Sequence, residues 1–155
     1  MNIPRKLVVV TLGFVLAWQA GCERTYPPGN GNTPRDRYTV LSVEEELAKF
    51  GLNSQVSPDE LAEILASIPN GVGEGKPSKQ TKIYPIKNKT IKEPNSTHTV
   101  VYTYIGFSDD SIAGSETRFD FTQSEQGQWQ VNWVGERTAC WRGNRAWAPP
   151  GKYCS

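Results

Sequence analysis

The chain contains very few of the residues on which most metal sites and nucleophilic sites depend. It has one histidine, His98, and three cysteines among 155 residues. A zinc site usually takes several His or Cys ligands, and a Ser-His-acid triad here would have to use His98 as its base. A Gly-x-Ser-x-Gly nucleophile elbow is also absent from the sequence. These absences predict a protein without a metal ion and without a catalytic triad.

A glycine-rich stretch at residues 71–79, GVGEGKPSK, invites comparison with a phosphate-binding loop. Only three residues separate Gly71 from Gly75, whereas that loop has four between its glycines. Pro77 also follows Lys76 at the position where the loop needs a Ser or Thr. We interpret the stretch as a flexible connection and predict no cofactor.

The acidic pair Asp109-Asp110 has the oxygen ligands that calcium prefers. Adjacent carboxylates before a turn more often accept backbone hydrogen bonds and start that turn, and the spacing of an EF-hand loop is absent. Since the sequence predicts neither a metal site nor a nucleophilic triad, we also predict that the protein is not an enzyme. A cell-wall glycan hydrolase stays open as a third alternative, because two facing acids can be brought together in space, for example among Asp109, Asp110 and Glu116.

Long hydrophobic runs are scarce, apart from one near the N-terminus. The run covers residues 7–18, lies behind the basic Arg5 and Lys6, and is followed by small residues up to Cys22. It is too short for a permanent membrane helix, and its order of charge, apolar run and small residues is typical of a secretory signal. We predict a signal peptide over residues 1–21, with a buried helix as the alternative.

The end of this segment, Ala20-Gly21-Cys22, resembles the bacterial lipobox, in which the cysteine is acylated, with palmitate among its acyl chains. Gln19 departs from that pattern, which usually has leucine there. Three cysteines are an odd number for an exported protein, and a lipid on Cys22 leaves a single pair. By the same resemblance, Glu23 in place of aspartate implies an outer membrane lipoprotein facing the periplasm. The alternative is a soluble secreted protein with one free thiol.

The remaining chain divides into a linker and one domain. Residues 22–38 combine three prolines, two glycines and mixed charge without apolar periodicity, which predicts a lipid anchor followed by a flexible tether. Residues 39–155 are enough for one domain with a modest core and too few for two.

Two short amphipathic helices are predicted at the start of this domain. Ser42 stands three residues before Glu45, so the serine can cap free backbone N–H groups and the acid suits the helix dipole. Ser57 has the same relation to Glu60. The predicted apolar faces consist of Val43, Leu47, Phe50, Leu61, Ile64, Leu65 and Ile68.

From about residue 80 the period becomes strand-like. Residues 97–107 are rich in Thr, Val, Tyr and Ile, and alternation around Gln126-Gly127 predicts an antiparallel hairpin. The predicted inner face carries Phe119, Phe121, Trp129, Val131 and Trp133, and the polar outer face carries Arg118, Asp120, Thr122, Gln128, Gln130 and Asn132. We predict an α+β fold, with two N-terminal helices packed on a three- to four-stranded antiparallel sheet.

The two C-terminal cysteines predict a disulfide, Cys140 to Cys154, which would contribute about 3 kcal/mol in an oxidising compartment. Aromatic and basic residues crowd the loop that it closes and the strand before it, and such surfaces are favoured in recognition. The candidate binding residues are Arg137, Trp141, Arg142, Arg145, Trp147, Lys152 and Tyr153. The alternative is that the two tryptophans pack under the loop as a small satellite core.

Charge is distributed unevenly although the net charge is only +1. The helical region, residues 42–63, carries six acids against Lys49, whereas residues 76–92 carry six lysines and no acid (Lys76, Lys79, Lys82, Lys87, Lys89 and Lys92). A basic edge beside the disulfide loop would suit an anionic envelope glycan or an acidic protein, and no nucleic acid partner is expected. The alternative is a solvated lysine edge that discourages strand-to-strand aggregation.

The C-terminal half looks like a group of small, uncharacterised bacterial envelope lipoproteins. The stretches that carry this resemblance are GFSDDSIAGSETRFDF at 106–121, GQWQVNWVGER at 127–137, and CWRGNRAW at 140–147 with the later Cys154. The resemblance implies location in the cell envelope and a similar fold, and it implies no particular chemistry.

These features predict a lipid-anchored, periplasm-facing envelope protein that acts as a binding module through its basic edge and disulfide loop. The alternative is a structural accessory subunit of an envelope complex, which would dock through the acidic helices.

Overall fold

A computed structural model of the chain describes residues 32–69, 78–85, 97–107, 109, 111–142 and 147–154. A 3-10 turn at Arg35–Arg37 precedes five strands and two helices, which are, in chain order, β1 (Thr39–Leu41), α1 (Val43–Ala48), α2 (Pro58–Ser67), β2 (Ser78–Pro85), β3 (His98–Ile105), β4 (Ile112–Gln123) and β5 (Trp129–Cys140). The predicted signal peptide, the predicted lipid site at Cys22, the glycine-rich stretch 71–77, Asp110 and Arg145 lie outside the described residues.

The five strands form one antiparallel sheet in the order β1-β5-β4-β3-β2. The predicted fold class is therefore wrong, since a five-stranded sheet dominates and the two helices are small, with six and ten residues. The helices do not open the domain either, because β1 precedes them and pairs with β5 from Thr39↔Glu136 to Leu41↔Val134. A strand of three residues is too short to show a period of two, and it follows a proline-rich stretch, so its sequence carries no strand signal.

Both helices begin at their predicted caps. The Ser42 hydroxyl accepts a hydrogen bond from the Glu45 N–H at 3.3 Å, and the Ser57 hydroxyl accepts one from the Glu60 N–H at 3.2 Å. At the far end of α2, the Lys79 ammonium donates to the carbonyl oxygens of Ala66 and Ile68. A cation suits the carbonyl end of a helix, so this lysine of β2 fixes α2 on the sheet.

The helices cover one face of the sheet, which we call the helix face. Its core joins residues from the helices and from the loop after α1 with residues of β3, β4 and β5. Its buried members are Leu47, Val56, Leu61, Leu65, Val100, Phe119, Phe121, Val131 and Val134. Burial of these apolar side chains, at about 25 cal/mol per Å², is the main force holding the short helices in place.

A β-bulge at Asn132 changes the face on which the following residue lies. Asp120 pairs with Trp133, but the next residue, Phe121, pairs with Val131, so Asn132 is an extra residue in β5. An inserted residue reverses the alternation of side chains beyond it. The prediction that Trp133 shares the inner face with Val131 is therefore wrong, because Trp133 lies on the opposite face, beside Asp120.

The opposite face, which we call the ionic face, is not a solvated outer surface. It carries Glu116, Arg118, Asp120, Trp133 and Arg137 in neighbouring strand positions. The first three of these side chains are completely buried. Residues 33–38, at the end of the segment whose composition suggests a tether, pack against this face.

Gly135 lies at a tightly packed point of the ionic face. A methyl group at this position would collide with the indole of Trp133 and would approach the Tyr38 Cβ to 2.8 Å. Gly135→Ala should lower the free energy of unfolding by about 1–3 kcal/mol, as overpacking usually does. Urea denaturation of the purified domain measures this loss.

A double-mutant cycle with Trp133→Leu identifies the cause. If the indole is the obstacle, Gly135→Ala should cost clearly less in the Trp133→Leu background than in the wild-type protein. Equal costs in the two backgrounds would show that the collision with the indole does not occur.

Candidate functional site

The ionic face is organised around the carboxylate of Asp120. Arg118 donates to both of its oxygens, from Nε at 2.7 Å and from Nη2 at 3.0 Å. The Thr99 hydroxyl donates at 2.7 Å from β3, and the Arg35 Nε donates at 2.8 Å from the N-terminal segment. The fork of Arg118 also reaches the carbonyl oxygen of Thr33. Charge-assisted bonds of this kind are about twice as strong as neutral ones, so they hold residues 33–35 against the sheet.

A second carboxylate, Glu116, organises the other half of the ionic face. It accepts hydrogen bonds from the Tyr38 hydroxyl at 2.8 Å, the Thr103 hydroxyl at 3.0 Å and the Arg137 Nε at 2.8 Å. Burial, reinforced by the charge of Glu116, raises the pKa of Tyr38, so the phenol remains a neutral donor. Glu116 is thus enclosed by hydrogen-bond donors within the sheet.

Asp109 has the turn-forming role that its sequence context predicts. Its Oδ1 accepts the backbone N–H groups of Ser111 at 2.7 Å and Ile112 at 2.6 Å. These two hydrogen bonds, helped by the charge of Arg142, lower the pKa of the carboxyl. The interactions therefore stabilise the turn before β4.

The predicted disulfide between Cys140 and Cys154 is present. The loop that it closes returns along β5 and reaches β1. The Ala148 N–H donates to the Thr138 carbonyl at 2.8 Å, and the Gly151 N–H donates to the Thr39 hydroxyl at 2.9 Å. The end of the chain is consequently fixed to the same sheet edge as the N-terminal segment.

The candidate binding residues of this loop divide into packed and exposed groups. Trp141 and Trp147 pack on Ala113 and Ala139, which form a small satellite core, as the alternative interpretation of the loop proposed. The guanidinium of Arg137 stacks 4.0 Å from the centre of the Trp147 ring while it pairs with Glu116. These three side chains therefore have internal roles. The exposed members among the described residues are Arg142, Lys152 and Tyr153, and Tyr153 is 95% exposed.

A groove lies where the N-terminal segment meets the disulfide loop, and we call it the Arg37 groove. Its volume is about 390 Å³. The lining residues are Thr33, Pro34, Arg37, Arg137, Trp147, Ala148, Pro149 and Pro150. A smaller hollow of about 210 Å³ lies on the other side of the Pro149-Pro150 ridge, and Lys152 and Tyr153 line it. The prolines and the tryptophan form rigid walls, and the exposed Arg37 supplies a cation at the rim.

Arg37 is not among the candidate binding residues predicted from the sequence, because the composition of residues 22–38 suggests a tether. Its position is fixed by its neighbours, since Arg35 binds Asp120 and Tyr38 binds Glu116. The available signal was the pair of arginines before Tyr38 in RDRY at 35–38, which is weak without knowledge of the buried acids.

The described lysines of β2 do not extend the disulfide-loop surface. β2 and β5 are separated by β3 and β4, which places them about 14 Å apart at the usual strand spacing. Lys79 is engaged at the end of α2, and Lys82 is exposed. The other lysines of the predicted basic edge lie outside the described residues.

The acids of the helices are mostly exposed, namely Glu44, Glu45, Asp59, Glu60 and Glu63. Glu46 differs, because it is buried and pairs with Lys49. Glu136 of β5 is half-buried near this pair, and burial followed by the charge of Glu46 raises the pKa of Glu136 against the opposing charge of Lys49. Glu136 is thus a carboxyl group whose ionised form is disfavoured in the folded protein.

Two further observations concern the described residues alone. None of their helices has the length and apolar character needed to cross a membrane. Within the same part of the chain, no three His, Cys, Asp or Glu side chains are grouped closely enough to hold a metal ion.

Comparison of the chain with protein-family models, with curated proteins and with solved structures found no match in any of the three. The resemblance to envelope lipoproteins therefore stays a prediction, and the functional argument depends on the geometry of the site.

Glu136 provides a test of the electrostatics beside the site. Because its pKa is raised in the folded protein, its ionised form destabilises the fold, and this destabilisation accumulates as pH rises above the ordinary value of 4.5. Glu136→Gln should therefore increase the free energy of unfolding at pH 7, by less than about 1 kcal/mol after solvent screening. The increase should vanish at about pH 3.5, where the carboxyl is protonated in both states.

Urea denaturation at the two pH values measures this difference. The exposed Glu63 of α2 gives a matched control, since Glu63→Gln should change stability little at either pH. A loss of stability at pH 7 in Glu136→Gln would mean that Lys49 outweighs burial and Glu46.

Proposed function

We propose that the protein is a binding module without catalytic activity, and that it holds an anionic envelope glycan in the Arg37 groove. The observation that carries this proposal is the position of Arg37 and Lys152. These two exposed cations line the hollows on either side of a rigid proline ridge. Trp147 and Arg137 form the floor between the N-terminal segment and the disulfide loop.

The walls of the groove are fixed before any ligand arrives. The disulfide and the hydrogen bond from Gly151 to Thr39 hold one wall, and the ion pair between Arg35 and Asp120 holds the other. A site that is already ordered loses little conformational freedom on binding. Since a guanidinium matches the planar fork of a carboxylate, Arg37 is suited to a uronic acid or another acidic sugar.

The test measures binding of oligogalacturonate, a carboxylated oligosaccharide, by calorimetry at low ionic strength. Arg37→Gln/Lys152→Gln should weaken binding about tenfold, a loss of about 1.4 kcal/mol for two solvent-exposed contacts. Binding should also weaken as salt rises, because exposed charges are screened. The far-UV and near-UV circular dichroism spectra should remain unchanged.

A matched control separates a site from general attraction. Lys82→Gln removes one exposed charge on β2, at the other edge of the sheet, and should leave binding nearly unchanged, whereas Arg37→Gln alone should weaken it. Equal weakening by the two single variants would refute the groove. Absence of any binding by the wild-type protein would refute the anionic-glycan proposal and favour an acidic protein partner.

A structural accessory role is the second candidate function. It is supported by five exposed carboxylates on α1 and α2. The nearby cations are engaged within the protein, Lys49 by Glu46 and Lys79 by the carbonyl end of α2. Such a surface suits a basic partner subunit through electrostatic complementarity. Loss of co-purifying proteins in Glu44→Gln/Glu45→Gln, with oligogalacturonate binding intact, would favour this role over the first.

We further propose that the protein is an envelope lipoprotein anchored through Cys22. Intact mass of the full-length protein, extracted from membranes of a bacterial host, should show a mature chain that begins at Cys22 and carries covalent lipid. Reduction should add about 2 Da, one hydrogen on each sulfur of the Cys140 to Cys154 bond. A mature chain without lipid would overturn the lipoprotein proposal and favour a soluble secreted protein.

A further inference from the structure

A second groove lies at the end of the sheet opposite the disulfide, beside the turn that joins β4 to β5. We call it the hairpin groove. Its volume is about 510 Å³, which is within the range of small-ligand sites. The lining residues are Gln55, Thr97, Thr122, Gln123, Ser124, Gln128, Trp129 and Gln130. Because β5 is twelve residues long, the two ends of the hairpin are about 35 Å apart along the strand.

The lining has an unusual composition, since none of its described residues carries a charged side chain. Four of its eight residues are glutamines and three carry hydroxyl groups. Gln123 donates its amide to the Gly127 carbonyl at 3.2 Å. The side-chain amides of Gln55, Gln128 and Gln130 make no hydrogen bond to another described residue, and all three side chains are exposed. Each unused amide offers donors and an acceptor in one plane.

Trp129 supplies the aromatic surface of the hairpin groove. The ring of His98 meets it at 4.9 Å and 89°, and the ring of Phe121 meets it at 6.4 Å and 87°. These edge-to-face contacts with the helix face fix the plane of the indole. The side chain remains partly exposed and lines the groove.

The walls around Trp129 are also ordered. The Ser54 carbonyl accepts the Val131 N–H at 2.8 Å, which attaches the loop bearing Gln55 to β5. The Gln55 N–H donates to the Asn53 side chain at 2.9 Å. On the other wall, Ser124 and Gln128 exchange two hydrogen bonds, of 2.9 and 3.1 Å, across the hairpin turn. The polar side chains are therefore held on fixed backbone.

We infer that the hairpin groove binds a neutral carbohydrate. A sugar ring combines an apolar face of C–H groups, which stacks on an indole, with hydroxyl groups that both donate and accept hydrogen bonds to amides. A neutral ligand is favoured because none of the described lining side chains carries a charge that would compensate a charged one.

A peptide fits this geometry less well than a sugar. Extended peptides usually gain affinity by pairing with a free strand edge. Here β4 is paired on both sides, by β3 and β5, and the Val131 N–H of β5 is already used by Ser54. Among the described lining residues, Trp129 is the one large apolar side chain. Its chemistry therefore favours a ligand that is recognised through hydroxyl groups.

The experiment titrates the full mature protein with three neutral probes, maltotriose, cellotriose and tri-N-acetylchitotriose. Tryptophan fluorescence and saturation-transfer NMR report binding. At least one probe should bind in the upper micromolar to millimolar range, with little change between about 0.02 and 0.2 M salt because no ion pair is involved. Failure of all three probes at millimolar concentration would overturn the inference.

Variants locate the binding site. Gln128→Ala/Gln130→Ala changes only exposed side chains and should weaken the bound probe about fivefold or more. Trp129→Leu keeps an apolar contact with the core but removes the stacking surface, and it should abolish detectable binding. Trp141→Phe, at the other end of the sheet, is the matched aromatic control and should leave binding unchanged.

The outcome is separable from that of the Arg37 groove. Probe binding that is lost in Arg37→Gln but retained in Gln128→Ala/Gln130→Ala would overturn the hairpin groove as the site. The neutral peptide acetyl-Gly-Ser-Gly-amide serves as a competitor. If it displaces the bound sugar as effectively as an equal concentration of the free sugar does, the inference is also overturned. Oligogalacturonate binding should be unaffected by Gln128→Ala/Gln130→Ala, since it depends on the opposite end of the molecule.

Discussion

The buried carboxylate of Asp120 is the constraint on which the rest of the structure depends. Its hydrogen bonds join a threonine of β3, an arginine of β4 and an arginine of the N-terminal segment. Taking such charges out of water is costly, and removal of one partner leaves the others buried without compensation. The three segments are therefore coupled, because the loss of any one of them leaves a buried polar or charged group of the others without its partner.

The bulge at Asn132 makes this arrangement compatible with an ordinary apolar core. If Asn132 paired with Asp120 in a regular ladder, Trp133 would lie opposite Phe119 under the helices, and Asp120 would have no aromatic neighbour on β5. With the bulge, the indole of Trp133 lies on the ionic face, where the guanidinium groups of Arg35 and Arg118 lie 4.9 and 5.6 Å from the ring. The aromatic surface screens the cations from water and strengthens their attraction to the carboxylate. The bulge therefore places Trp133 on the ionic face while Val131 and Val134 stay in the core of the helix face.

Some of these features are readable from the sequence and others are not. The helix caps at Ser42 and Ser57 are local, and a local pattern is enough to identify them. The hairpin turn is local as well. By contrast, Arg118 and Asp120 alternate with phenylalanines in the way that solvent-facing residues do. No pattern in a single sequence distinguishes a solvated charge from one that is buried and paired. Their burial depends on Arg35, Tyr38 and Thr99, which are distant in the chain.

The candidate sites were hidden for a related reason. Both grooves are formed where a loop or terminal segment meets the end of the hairpin, so their residues come from separate parts of the chain. Arg37 owes its place to the neighbouring contacts of Arg35 and Tyr38, and Gln55 owes its place to the bond between Ser54 and Val131. In each case the exposed side chain of the proposed site adjoins a residue that is fixed to the sheet. Such positions are both exposed and rigid, which suits them to recognition. The two proposed sites accordingly lie at opposite ends of one hairpin.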